Sequence, residues 1–284
     1  MDCTVEASLG VNPNNGLIDQ KVEAAEASGA ASSKAVHNVA PVAENPLDLT
    51  IMVPCLNEEQ HIIGTLDTIA AAMRELPLSC EVLVIDDGST DRTAQLVKDY
   101  CDSHPDLAIR LHQNGRNRGL TRTYVDGAFL GRGEYYRMVC GDNVEPKDTL
   151  IAVFRKLGKA DLVIPYHESV PPGKSPFRLF LSRSYTSLVN LLSGYQIHYY
   201  NGMPLTSRYN VMRWGPYSFG FGFQAELVTR LLDEGASFIE IPVAATHQDK
   251  SGRNSTLNWR NVLSVTHTLL EVLIRRVRRH AFKK

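Results

Sequence analysis

The residues with the clearest chemical potential fall in two runs about thirty positions apart: Val53-Pro54-Cys55-Leu56-Asn57-Glu58-Glu59 and Val84-Ile85-Asp86-Asp87-Gly88-Ser89-Thr90-Asp91. Each closes an apolar, β-branched stretch, so each predicts a strand that ends in acids and small polar residues. In open α/β sheets the carboxyl edge is where ligands bind. A carboxylate there can accept from the N–H of a base ring or from a ribose hydroxyl. The Gly88-Ser89 step lets backbone approach a ligand, and the helix that follows offers free N–H groups. A third run, Gly141-Asp142-Asn143-Val144-Glu145-Pro146, again follows an apolar stretch. An acid at that point can hold a hard divalent cation against a diphosphate. Together the runs read as a nucleotide pocket. The dinucleotide-binding glycine fingerprint and the Walker A loop are both absent from the sequence, which disfavours hydride transfer and phosphate-loop kinase chemistry.

The elements that must carry these runs alternate. Leu49–Val53 predicts a strand stopped by Pro54, and Glu58–Glu75 a helix with Ile62, Ile63, Leu66, Ile69, Ala70 and Met73 at helical spacing. Glu81–Ile85 is a second strand, followed by a helix capped by Ser89 or Thr90 with Leu96 and Val97 inward. Strands are expected at 107–111, 135–140 and 162–164, with a helix over 118–130 and another whose first turn holds Pro146. Strands alternating with helices imply a mainly parallel sheet. Beyond a Pro171-Pro172-Gly173 linker the pattern changes: an amphipathic helix over 177–192, an irregular aromatic stretch over 198–209, a helix over 223–232, a strand over 238–243, and a long last helix from Trp259 to about Arg279.

The 284 residues allow one large α/β domain or two small ones. Residues 1–46 are rich in Ala, Ser, Asn and Glu and poor in large apolar side chains. They are expected to form a disordered tail, because they cannot bury enough surface to offset chain entropy. A net charge of −1 gives no electrostatic case for nucleic acid. The five cysteines have no paired spacing, which argues against a disulfide framework or a structural zinc site and for a reducing, cytoplasmic setting. No apolar run is long enough to span a membrane. The last helix carries an apolar stripe that ends in Arg275, Arg276, Arg278, Arg279, Lys283 and Lys284. That end suits the inner face of a membrane with anionic lipids, against the plainer reading of a helix packed on the sheet with a solvated tail.

In combination, Pro54-x-x-Asn57-Glu58, the Val84–Asp91 run, Arg118-Gly119-Leu120 and Asp142 resemble the family 2 glycosyltransferases of GT-A fold, and within them the polyprenyl-phosphate sugar synthases. The resemblance covers about Leu49 to Thr268. It implies a Rossmann-like, mainly parallel sheet with flanking helices and an inverting transfer from a nucleoside-diphosphate sugar. It places the donor-binding half at 47–167 and the acceptor-side half at 168–284. It puts Pro54, Asn57 and Glu58 at the nucleoside, Asp86 at the base, and Asp87, Gly88 and Ser89 in the loop beside it. It adds Arg118 and Gly119 to the donor site, with Tyr124 and Gly127 in the helix after them. It makes Asp142 a metal ligand and a catalytic residue, Arg178 and Arg183 (with Ser182 between them) phosphate-facing, and Glu226 of Phe223-Gln224-x-Glu226 an acceptor-side residue. Lys250 and Ser255 fall where the family has an Arg and a Ser.

The chain also departs from that pattern. Cys140 replaces the first acid of Asp-x-Asp, and Val144 replaces a Gln two residues after the second, so only Asp142 of three expected ligands for Mg²⁺ or Mn²⁺ is present. The acceptor-side segment is Tyr199-Tyr200-Asn201-Gly202-Met203-Pro204-Leu205, without the family's acid and Arg, and Thr256 replaces a late Lys. Three functions stay open: transfer to a membrane-linked acceptor such as polyprenyl phosphate, transfer to a sugar hydroxyl in polysaccharide or glycolipid assembly, and an inactive nucleotide-sugar-binding module. A hydroxyl acceptor needs a general base, for which Glu226 is the candidate. The plain alternatives are Asp142 as a cap on the helix at Pro146, Arg178 and Arg183 as a solvated helix face, and Glu226 as a surface acid.

Overall fold

The computed structural model describes residues 47–167, 176–215, 220, 222–244 and 259–282. The expected tail at 1–46, the linker at 171–173, and Lys250, Ser255 and Thr256 lie outside them. In chain order the elements are β1 (Leu49–Cys55), α1 (Ile62–Met73), β2 (Cys80–Asp86), α2 (Thr93–Ser103), β3 (Ile109–Gln113), α3 (Leu120–Leu130), β4 (Tyr135–Met138), α4 (Lys147–Phe154), β5 (Leu162–His167), α5 (Pro176–Ser193), β6 (Leu205–Ser207), α6 (Arg208–Trp214), α7 (Phe223–Asp233), β7 (Phe238–Val243) and α8 (Trp259–Ala281).

The strands form one seven-stranded sheet in the order β3-β2-β1-β4-β6-β5-β7. All neighbours are parallel except β6, which runs antiparallel to both β4 and β5. Every residue of β1 and β2 is buried, as expected of central parallel strands covered on both faces. Alternate side chains of β1 serve opposite layers. Leu49, Ile51, Val53 and Cys55 pack with α1, α2 and α4, while Met52 joins Leu83 and Ile85 against Tyr124 of α3 and Phe223, Leu227 and Val228 of α7. Strands β6 and β7 come from the second half of the chain, so both halves contribute to the same sheet.

Several boundaries differ from expectation. Pro54 lies within β1, at its penultimate position. β3 starts at Ile109 rather than 107, because a turn in which Leu107 donates to the His104 carbonyl at 3.1 Å delays it. Residues 205–207, expected to be irregular, form β6, and 208–214 form α6. Neither Ser89 nor Thr90 caps α2. Asp91 accepts from the Thr93 N–H at 3.0 Å instead, and Ser89 and Thr90 pair with the neighbouring loop.

At the amino edge of the sheet, Glu81 is 2% exposed. It accepts from Thr50 Oγ1 (2.7 Å), Arg110 Nε and Nη2 (3.0 and 2.8 Å) and the Arg132 N–H (2.5 Å). This knot joins β1, β2, β3 and the turn before β4 on the side away from the acidic runs.

Helices α5 and α8 pack against each other. Of the basic residues expected on an outer face at the end of α8, Arg275, Arg276 and Arg279 turn inward, Arg278 is exposed, and Lys283 and Lys284 lie outside the described residues. Arg275 and Arg279 both pair with Asp233 of α7, at 3.6 and 2.5 Å. Arg279 also reaches Tyr195 Oη and the Ser193 carbonyl, and Arg276 donates to the carbonyls of Leu191 and Leu192. The guanidiniums turn inward because α7 supplies an acid and the end of α5 supplies orphan carbonyls. The pair exposes Phe177, Phe180, Leu188 and Leu191 on α5 and Leu263, Leu270, Ile274 and Val277 on α8, together with the polar Arg183, His267 and Arg278. A cavity of about 530 Å³ lies between them, lined by Leu191, Leu192, Leu273, Arg276, Val277 and Ala281. Among the described residues no helix is long and apolar enough to cross a membrane.

Candidate functional site

Three acidic loops leave the carboxyl ends of adjacent parallel strands β2, β1 and β4, so they share one edge of the sheet. Cys55 lies opposite Asp86 in register, and Asp87 donates its N–H to the Cys55 carbonyl at 2.9 Å. On the other side of β1, the Gly141 N–H donates to the Pro54 carbonyl at 3.2 Å. Asp86 and Asp142 therefore flank a common strand end.

The first two loops are zipped together. Asn57 donates its N–H to Ser89 Oγ (2.9 Å), and its side-chain oxygen accepts from the Thr90 N–H (2.8 Å). The Glu58 N–H donates to Thr93 Oγ1 at 2.8 Å and the Glu59 N–H to Asp91 at 3.2 Å. Among the described residues, the non-glycine positions with positive φ are Asn57 (56°) and Asn143 (53°), one in each loop beside β1. Such strained residues cluster where a backbone must be aimed.

Asp86 and Asp87 are 2% and 5% exposed. Asp86 accepts from the Ser89 N–H at 2.9 Å and, at 3.4 Å, from Gln113 Nε2. Asp87 accepts from Asn114 Nδ2 (2.7 Å) and from the N–H groups of Arg118 and Gly119 (both 2.9 Å), which lashes the 114–119 loop to β2. Gly88, at φ +85°, lies so close to that loop that a Cβ would come within 2.8 Å of the Arg116 and Asn117 backbone. Arg118 is held beside this loop by Asp126, at 2.7 Å.

Asp142 is partly buried. Burial pushes its carboxyl above the ordinary range, the nearby Glu58 carboxylate adds to this, and the Val144 N–H and His61 oppose it. His61 itself contacts Glu58 at 3.2 Å. Among the described residues Asp142 makes no capping bond to α4, whose N-cap position is Pro146. Of its neighbours, Asn143 accepts from Thr68 Oγ1 of α1 at 3.2 Å, and Glu145 pairs with Arg137 of β4. Among the described residues no three His, Cys, Asp or Glu side chains group as a metal site.

A model of the family described as glycosyl transferase family 2 matches residues 50–213, which takes in all three loops. The chain belongs to glycosyl transferase family 2. Solved structures share its fold. A mannosyltransferase from Pyrobaculum calidifontis, solved in complex with GDP-Man and Mn²⁺, aligns over 93% of this chain and 72% of its own at a TM-score of 0.58 and 20% identity. Glucosyl-3-phosphoglycerate synthase from Mycobacterium tuberculosis, in complex with UDP, aligns over 80% of both chains at a TM-score of 0.59 and 18% identity. These likenesses establish the GT-A fold. Among sequence relatives, a dolichyl-phosphate beta-glucosyltransferase of Dictyostelium discoideum is 36% identical over 132 residues, 43% of this family 2 chain and 40% of that protein. A dodecaprenyl-phosphate galacturonate synthase of Rhizobium johnstonii is 36% identical over 103 residues, 36% of this chain and 30% of that protein. The chain thus matches less than half the length of each.

Within this family 2 fold, the residues expected at the donor divide by exposure. Asn57, Glu58, Gly88, Ser89, Arg118, Gly119 and Asp142 reach the surface of the edge, whereas Pro54, Asp86 and Asp87 are buried beneath it. Tyr124 and Gly127 are core residues of α3: a Cβ at Gly127 would come within 2.5 Å of Tyr136 Oη. Arg178 and Arg183 lie on α5, half-buried and exposed respectively. Glu226 is not the surface acid of the plain reading: it is fully buried in α7 and paired with Arg230 at 3.0 Å. The sequence reading missed Arg137, whose signal was a lone charge inside the apolar stretch Tyr135-Tyr136-Arg137-Met138-Val139.

Proposed function

We propose that this protein transfers a sugar, with inversion, from a nucleoside-diphosphate sugar to a membrane-linked acceptor such as a polyprenyl phosphate. The observation that carries the reading is the convergence of the Asn57, Asp86 and Asp142 loops on one sheet edge in a family 2 chain. The relatives named as acting on dolichyl and dodecaprenyl phosphates support the acceptor class. On this reading 47–167 is the donor half and 168–284 the acceptor half.

Asn57 and Glu58 line the nucleoside beside Pro54. Asp86 exchanges its long Gln113 contact for the base, and Asp87, Gly88 and Ser89 shape the loop that presents Arg118 and Gly119. Asp142 faces the diphosphate, and Arg178 and Arg183 supply cationic donors to the leaving group. The donor set suits a cation held mainly by substrate: Asp142 is one hard oxygen ligand, and Mg²⁺ commonly takes one or two carboxylates plus phosphate oxygens and water. Bound there, Mg²⁺ or Mn²⁺ would neutralise charge on the departing diphosphate.

A phosphate acceptor is already anionic and needs no general base. A sugar hydroxyl does, and Glu226, buried against Arg230, is poorly placed to be one. The apolar outer face of α5 and α8 supports peripheral contact with the inner face of a membrane. Because Arg275, Arg276 and Arg279 turn inward, the apolar part of that contact is expected to persist at about 1 M salt, where the screening length is about 3 Å.

The test incubates the protein with UDP- and GDP-sugars and vesicles containing a polyprenyl phosphate, with and without Mn²⁺. A lipid-linked sugar of inverted anomeric configuration is expected. Nucleotide binding without turnover on any acceptor would replace this reading with the inactive module that Cys140 suggests, and transfer only to soluble glycans would replace the acceptor class.

A further inference from the structure

We propose that Arg137 and Glu145 are a positioning pair that fixes Asp142 toward the donor diphosphate; this rests on the role just proposed for Asp142. Arg137 is 1% exposed in the middle of the sheet. Its Nη2 donates to Glu145 Oε1, its Nε to the Met203 carbonyl at 3.4 Å, and its Cζ lies 5.7 Å from the centre of the Phe154 ring. A buried ion pair is weak as a source of stability, since apolar side chains of similar volume often do as well or better. Tyr135, two residues earlier in β4, and Val139, just after the strand, are aromatic and apolar in the same core layer. The pair is therefore better explained by what it holds in place.

It holds the loop that carries Asp142. The bond spans eight residues, from the strand to the far side of the loop, and ties the loop's end to an arginine that three elements keep still. The near side is fixed by the N–H groups of Val139 and Gly141, which donate to the carbonyls of Met52 (2.9 Å) and Pro54 (3.2 Å). The apex is fixed on α1: Asn143, in its left-handed conformation, accepts from Thr68. Its Nδ2 sits where a Cβ on Gly64 would come within 2.6 Å. Asp142 stands between these anchors with its own carboxylate engaged by the Val144 N–H. Asn143 and Glu145 are thereby committed to holding the loop. In a chain with Cys140 in place of an acid, one carboxylate has to be aimed well, and misplacement of about 1 Å can cost about a hundredfold in rate.

The experiment uses the full chain and the double variant R137M/E145Q, which removes both charges at similar volume. Readouts are thermal melting, binding of UDP and GDP by calorimetry, and kcat and KM with the sugar nucleotide that supports turnover. The expected result is a melting temperature near that of the parent with kcat/KM down about tenfold or more. Adding D142N to the double variant should weaken nucleotide binding no further than D142N alone. Parent kcat and KM in a folded double variant would overturn the proposal, as would losses that simply add to those of D142N. If D142N alone leaves binding and turnover unchanged, the role of Asp142 fails instead, and with it the premise. Should the double variant not fold, R137K decides. It keeps the charge and loses the planar fork, so lowered kcat in a folded R137K supports positioning and parent kinetics refute it.

Discussion

Replacing Asp87 by alanine separates the scaffold of the donor site from its contacts. The carboxylate is 5% exposed and accepts three N–H groups: Asn114 Nδ2, Arg118 N–H and Gly119 N–H, at 2.7, 2.9 and 2.9 Å. A hydrogen bond to a charged group contributes about 1.5–3 kcal/mol, so simple addition would give about 4.5–9 kcal/mol for three. That sum is an upper bound. Residues 115–118 are exposed, so the loop can swing out and water can take over its amides. Gly119, which closes the loop at φ +87°, leaves the backbone free to do so. A loss of about 2–4 kcal/mol is the better expectation, which for a domain of this size lowers the melting temperature by about 4–16 °C. Two further readouts follow from the geometry. Hydrogen exchange should accelerate at the amides of Arg118 and Gly119 while β1 and β2 stay protected. The donor KM should rise about tenfold, because Arg118 is presented by that loop. The Asn114→Ala variant loses one of the three bonds and should show about a third of the stability loss. If Asp87→Ala melts within about 2 °C of the parent, or if amides 118 and 119 remain protected, the lashing of this loop to β2 is wrong.

Two other perturbations probe the framework. Glu81→Ala at the amino edge leaves Arg110, whose side chain is 14% exposed, beside an empty buried site. The expected cost is about 3–5 kcal/mol in chemical denaturation, with kcat and KM within about twofold of the parent because the knot lies at the opposite end of the strands from the acidic loops; a large KM change would show that the two edges are coupled. Asp161, beside the start of β5, accepts from the side chain and N–H of Ser237 at 2.6 and 2.8 Å, and these bonds hold its carboxyl below the usual range. A depressed pKa stabilises the fold above the unfolded value of about 3.9 and is lost as pH falls through the folded value. Asp161→Asn should therefore unfold at a lower urea concentration at pH 7, with the difference closing as pH drops below about 4; an offset independent of pH would rule out this linkage.

The parts of the fold that were legible are those set by local pattern. β1 and β2 read clearly because central parallel strands are continuously apolar, and α1 because its apolar residues recur at helical spacing. β6 was illegible for a physical reason: three residues, Leu205-Thr206-Ser207, carry no period, and they are a strand only because β4 and β5 leave a slot between them. The caps failed in the same way. Ser89 and Thr90 have the right types for an N-cap, but the Asn57 loop arrives beside them and takes their hydrogen bonds. At the site, the order of acids, glycines and serines announced which strand ends matter, since those types at a carboxyl edge serve few other ends.

Charge pairing was the least legible layer, because a sequence gives a charge its position along the chain but not its partner. Glu226 looked like an available base and is matched by Arg230, one helical turn away. Arg275, Arg276 and Arg279 looked like a basic outer face. They turn inward because Asp233, some forty residues earlier, and the carbonyls closing α5 lie underneath them. The two reversals point the same way. Glu226 is matched inside the fold, and Arg275, Arg276 and Arg279 serve an acid and carbonyls beneath α8, while Arg278 stays exposed. Charges that position along the chain would have put at the surface instead join α5, α7 and α8 from within.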